Sequence, residues 1–179
     1  MKPISSFQTL SAVLVALLSL NACWESKSAP TSLEEINRNA EIILNKGEII
    51  QAKLALTDEE TTQGLSGIQD QDFQANQGML FIYPKQRPLR FWMPDTYFDL
   101  DIYFLDASLK VIDIERNVEH HPGYDVPPAI ATTRTILAQH VLELRSDSPL
   151  NQKIRIGDTL KLSAEVTLSQ IIELMEESR

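Results

Sequence analysis

Three carboxylates crowd one aromatic stretch of this chain. Asp95, Asp99 and Asp101 follow Trp92 and flank Thr96, inside the run from Gly78 to Asp106 that also holds Phe81, Tyr83, Phe91, Tyr97, Phe98, Tyr103 and Phe104. Two carboxyls roughly 5–9.5 Å apart can hydrolyse a glycosidic bond between them, and a tryptophan face can stack on a sugar. The same residues have plainer uses. Asp95 after Pro94 suits a turn, and Asp101 opening an apolar run suits a cap on strand N–H groups. A lone Trp among Phe and Met suits a core. A second kind of carboxylate is Glu143. It lies between Leu142 and Leu144 on an alternating run and so points away from their face. If that opposite face is buried, the carboxylate needs a partner, and Arg90 and Arg145 are the candidates. The expectation is therefore no catalytic residue, and a ligand-contact set of Trp92, Asp95, Thr96, Asp99, Asp101 and Glu143.

Other reactive groups carry less. His120, His121 and His140 have Glu119 and Asp125 nearby, but they show neither His-x-His nor His-x3-His spacing. A solvated turn before Pro122 is the reading, with no metal and no cofactor. No serine sits in a nucleophile elbow, and no Gly-rich phosphate loop is present.

The elements that must position these groups are mostly strands. Within the aromatic stretch, Met79–Tyr83, Leu89–Met93 and Leu100–Leu105 are strand-length bursts. Proline lacks a donor, so Pro84–Pro88 and Pro94–Asp99 read as connections. Further strands are expected over Glu41–Leu44, Ile50–Leu56, Lys110–Asn117, Gln139–Leu144 and Asp158–Ala164, about eight in all. Thr57 and Glu60 form a capping box that opens a short helix before Gly64 and Gly67. A second box, Thr167 with Gln170, opens a helix whose Leu168, Ile171, Ile172 and Met175 fall on one stripe. Ser32 and Glu35 have the same spacing over a stretch too short to stand alone. Val118–Arg134, with Pro122-Gly123 and Pro127-Pro128, is a long loop of a kind that often carries function. The fold class this predicts is mainly β, a compact antiparallel β-sandwich or barrel with one short early helix and a C-terminal amphipathic helix.

The chain has 179 residues, which allows one domain with a real core. Its formal charge of -9 argues against nucleic acid, whose phosphates demand a basic face. Lys2 and the apolar run Leu10–Leu20 read as an export signal, too short to span a membrane. The following Leu20-Asn21-Ala22-Cys23 resembles a bacterial lipobox, which implies diacylglycerol on Cys23, the only cysteine, and cleavage before it. The expected organisation is a lipoprotein signal peptide over 1–22, a polar tether over 23–40, a β-rich domain over 41–164 and a C-terminal helix over 165–179. The location expected is the cell envelope, lipid-anchored to a membrane on the exported side.

The order of motifs is similar to that of domain of unknown function 192, a family found in bacteria and archaea and often exported. The residues that carry the resemblance run from Thr57 and Glu60 through Gly64-Leu65-Ser66-Gly67, Gly78-Met79-Leu80-Phe81, Phe91-Trp92-Met93, Thr96 and Leu100-Asp101 to Val141-Leu142-Glu143 and Ile156-Gly157-Asp158. The resemblance spans about Ile49 to Leu162 and implies a small β-rich fold with no established reaction. Where the family commonly has Lys-Asn, this chain has Pro94-Asp95; where a basic residue often follows the Gly-Leu segment, it has Ile68. The functional expectation is a binding or accessory module for a small-molecule, carbohydrate or envelope-protein ligand. The alternative is a hydrolase or carbohydrate-active enzyme using the three aspartates near Trp92.

Overall fold

Alternating apolar residues assemble into one sheet with two buried faces. The computed structural model describes residues 29–178, so the segment expected to be a signal peptide and Cys23 lie outside the described residues. The strands are β1 (Asn39–Ile43), β2 (Ile49–Ala55), β3 (Gln77–Leu89), β4 (Leu100–Leu105), β5 (Val111–Val118), β6 (Ile136–Arg145) and β7 (Lys161–Ser163). Their order across the sheet is β5-β4-β6-β3-β2-β1-β7. The two edges are tied together. Val111 N donates to Asp158 O at 2.8 Å and Leu160 N to Leu109 O at 3.0 Å, just ahead of β7.

The mainly β class holds, with three corrections. The sheet is mixed, because β2 runs parallel to β3. Helix α1 (Asp58–Gln63) carries the chain back between them, as a parallel pair requires. Among the described residues seven strands form, not eight, since Leu89–Met93 is not one of its own. Finally, Pro84–Pro88 lies inside β3. Its partner β2 ends at the Ala55/Phe81 pair, so beyond Phe81 the strand has a free edge where a missing N–H is harmless. Its register against β6 shifts between Ile82 and Arg87. Gln139 Nε2 donates to the carbonyls of Tyr83 and Pro84 at 3.2 and 3.1 Å, which covers the irregularity.

All six residues of β4 are buried because both faces of the central strands are covered. One face carries Leu80, Ile82, Tyr103, Leu105, Leu142 and Leu144. The other carries Met79, Phe81, Ile102, Phe104 and Val141. Each such side chain contributes about 1.5–3 kcal/mol on leaving water. Gly78 sits where β2, β3 and β6 converge. A β-carbon there would lie 2.7 Å from Leu144 Cδ2 and 3.0 Å from Ile50 Cγ2.

Helix α2 (Leu168–Glu177) closes the first face. Thr167 and Gln170 cap it reciprocally, and Ile171 and Met175 are buried in the core. Its stripe is thus spent on the sheet rather than on a partner. The packed chain starts earlier than Glu41. Leu33 and Ile36 are buried, and Arg38 bonds to their carbonyls and to Glu60. The polar tether expected over 23–40 therefore cannot reach past Thr31 or Ser32.

Candidate functional site

Strand alternation aims Glu143 at the Phe81 and Phe104 face. It is paired with Met79 of β3 on one side and Ile102 of β4 on the other, in the middle of the sheet. The residue is 4% exposed, and its carboxyl makes no hydrogen bond or ion pair with the described residues. Burial alone pushes its pKa up to about 8, so it carries its proton at neutral pH. A protonated carboxyl can both donate and accept, and can act as a base once ionised.

This carboxyl lies at the foot of a cleft of about 400 Å³. One wall is the end of α1 and the loop after it. The capping box of Thr57 and Glu60 sets that helix, and Gly64, at φ +51, turns the chain close over Phe81, whose Cζ would sit 3.3 Å from a β-carbon. Ser66 Oγ then donates to Pro94 O at 2.8 Å, and Gly67 N to Asp95 O at 2.8 Å. The opposite wall is Phe91, edge-on to Phe81 with ring centres 5.0 Å apart. The long loop holds this wall in place: Met93 N donates to Ala131 O, and Thr133 N to Phe91 O.

The rim is aromatic and basic. Trp92 is 58% exposed there, so it does not fill the core as expected. Its backbone is bridged to Thr132, which holds it in the outer segment. Arg87 lies over the Tyr83 ring at 5.2 Å, and Arg90 donates to Thr132 Oγ1 at 2.9 Å. Neither guanidinium touches a carboxylate of the described residues. Burial pushes the Tyr83 hydroxyl up to about 12; Arg87 opposes that rise, while Glu143 adds to it.

The cleft brings together Trp92, Thr96 and Glu143 from the predicted set and leaves the three aspartates outside. Asp101 is on the other face of the sheet. It takes an ion pair from Arg116 and a hydrogen bond from Asn117 N at 2.9 Å, beside the buried Tyr103 hydroxyl. Asp99 pairs with the His120 ring at 2.6 Å. Asp95 accepts from the Tyr97 hydroxyl at 2.8 Å and from Gly123 N. Each carboxyl is committed to a different structural partner, so no acid pair flanks a bond. Thr96, 4% exposed, uses its hydroxyl to join Met93 O to His121 N.

Neither arginine expected to pair with Glu143 does so. Arg145 is held by Asp70 and Asp147 over the Phe98 ring. The histidines scatter. His120 is exposed, His121 bonds the Asp125 carbonyl, and His140 is fully buried with Nε2 unpartnered. Burial pushes the pKa of His140 down to about 4. Among the described residues no group of three His, Cys, Asp or Glu could hold a metal. The cleft residues not foreseen are Tyr83, Arg87, Phe91 and the Gln63–Ser66 loop.

The sequence pattern of DUF192, uncharacterized ACR, matches residues 41–162. A crystal structure of a candidate transcription regulator from Sinorhizobium meliloti 1021 is similar at a TM-score of 0.54 and 26% identity. It covers 75% of this chain and 98% of its own. A protein of unknown function from Novosphingobium aromaticivorans shares the fold at a TM-score of 0.55 and 21% identity, over 75% of this chain and 94% of its own. No curated protein matches.

Proposed function

We propose that this chain, which belongs to the DUF192 family, is a binding or accessory module of the cell envelope, held to a membrane by lipid on Cys23, with its ligand in the cleft over Glu143. One observation carries the reading. A carboxyl that makes no hydrogen bond or ion pair with the described residues lines the foot of an open cleft, where a ligand can reach it. A ligand with a hydrogen-bonding group satisfies it. The Leu10–Leu20 segment and the solitary Cys23 support the location, and the acidic charge disfavours nucleic acid.

An acid–base enzyme would also use a carboxyl that titrates near neutrality. Glu143, however, is the only carboxylate lining the cleft among the described residues, so the paired-carboxylate hydrolysis of sugars lacks its second group. Binding is the better reading.

The test is a thermal-shift screen of neutral and charged metabolites against the full chain, repeated with Glu143→Leu. A ligand at a hundredfold excess over its Kd adds about 2.7 kcal/mol. The expected result is ligands that stabilise the wild type and not the variant. Ligands that stabilise both equally would place binding elsewhere.

A further inference from the structure

The sign of the charge at the cleft mouth opposes that of the whole molecule. The chain carries -9, yet among the described residues the cleft is bordered by Arg87 and Arg90 and by no carboxylate except the buried Glu143. Both guanidiniums are exposed, and both are steered by neutral partners, one by the Tyr83 ring and the other by the Thr132 hydroxyl. Their hydrogen-bonding capacity toward an acid is therefore unspent. Guanidinium forks match carboxylate and phosphate oxygens in pairs, and they stack on rings. Between the rim and Glu143 the half-buried ring of Phe91 packs edge to face on the buried ring of Phe81, with Trp92 beside the opening. The cleft thus presents three zones in series: cationic outside, aromatic in the middle, and hydrogen-bonding at the foot.

We infer that the cleft takes a small ring-bearing organic acid, its oxyanion group at Arg87 and Arg90 and a hydroxyl or amino group on its inner end at Glu143. This rests on the cleft being the binding site. The outer group is a carboxylate or a phosphate, because both satisfy the guanidinium geometry. The inner group has to be polar, because an apolar end would shut water off the Glu143 carboxyl and give it no hydrogen bond in return. The ring is what the middle zone rewards, through burial and edge-to-face contact. A cleft of about 400 Å³ is in the range of small-molecule sites.

The test is calorimetric titration of the full chain with 4-hydroxyphenylacetate and 4-hydroxyphenyl phosphate. Two cut-down probes accompany them: phenylacetate, which lacks the inner hydroxyl, and 4-methylphenol, which lacks the acid. At least one of the two complete probes should bind ten times or more tighter than either cut-down probe, and which one does so assigns the oxyanion as carboxylate or phosphate. Arg87→Met and Arg90→Met, both at exposed positions, should each weaken the complete probe at least tenfold and leave 4-methylphenol unchanged. Glu143→Leu should weaken the complete probe and leave phenylacetate unchanged. Equal affinity for 4-methylphenol and the complete probes, or indifference to both arginine variants, would overturn the anion assignment while leaving the cleft reading standing. Binding of a complete probe that is insensitive to Glu143→Leu would overturn both. No binding by any of the four, together with neutral ligands from the screen that depend on Glu143, would overturn the ligand class alone.

Discussion

At the scale of single residues, Glu143 has a consequence beyond binding. Its folded pKa stands near 8 against an ordinary 4.5, so the folded state holds a proton that the unfolded chain has lost. That contribution to stability is fully present below about 4.5 and is lost as pH rises through 8. His140 works the other way. Its folded value near 4 lies below the ordinary 6.5, so its contribution is present above 6.5 and is lost as pH falls. Between about 4.5 and 6.5 the two slopes oppose each other; from about 6.5 to 8 Glu143 acts alone. Urea denaturation across that upper window should show stability falling with pH at up to ~1.4 kcal/mol per pH unit, the value of one proton. Glu143→Gln should remove the slope, and an unchanged slope in the variant would assign it to another group. Glu143 was legible as a polar residue in an apolar run. That it is unpaired was not, because Arg145 is held by Asp70 and Asp147 and Arg90 is turned toward the neutral Thr132 hydroxyl. Asp101 was legible as an acceptor for backbone N–H, but the one it takes belongs to Asn117 of β5, and this bond and the ion pair with Arg116 depend on strand pairing that local pattern does not encode.

At the scale of elements, local chemistry was the most readable part. Two of the three stretches with capping-box spacing formed the box, Thr57 with Glu60 and Thr167 with Gln170, while the Ser32 side chain makes no cap bond. Strand direction and register were not readable, since they depend on which runs meet in space. The parallel β2–β3 pair and the prolines inside β3 are the two results of that. Gly78 marks the place where register costs most. Gly78→Ala would drive a methyl into Leu144 and Ile50 and toward the carbonyl of Glu143, 3.1 Å away, at the junction of three strands. Overpacking of this kind costs about 1–3 kcal/mol. The midpoint of urea unfolding should fall accordingly, and a variant as stable as the wild type would mean that the junction has slack.

At the scale of the whole molecule, the cleft was invisible in the sequence because its walls come from the loop after α1, the segment after β3 and the middle of β6. The anchor proposed at Cys23 is the opposite case, resting on the sequence alone. Cys23→Ala should release the protein from the membrane fraction and abolish fatty-acid labelling; labelling that survives would refute the anchor. The topology also governs the order of events in time. β1 lies between β2 and β7, and Glu41 is in register with Ser163, so nearly the first strand waits for nearly the last. Such distant pairings place folding in roughly the millisecond-to-second range rather than the microsecond range of local folds. During synthesis the sheet cannot complete β1 until the stretch up to Ser163 has emerged, and the seal of α2 over the core comes later still. An unfinished chain therefore carries an unpaired edge on β1 until synthesis is nearly done.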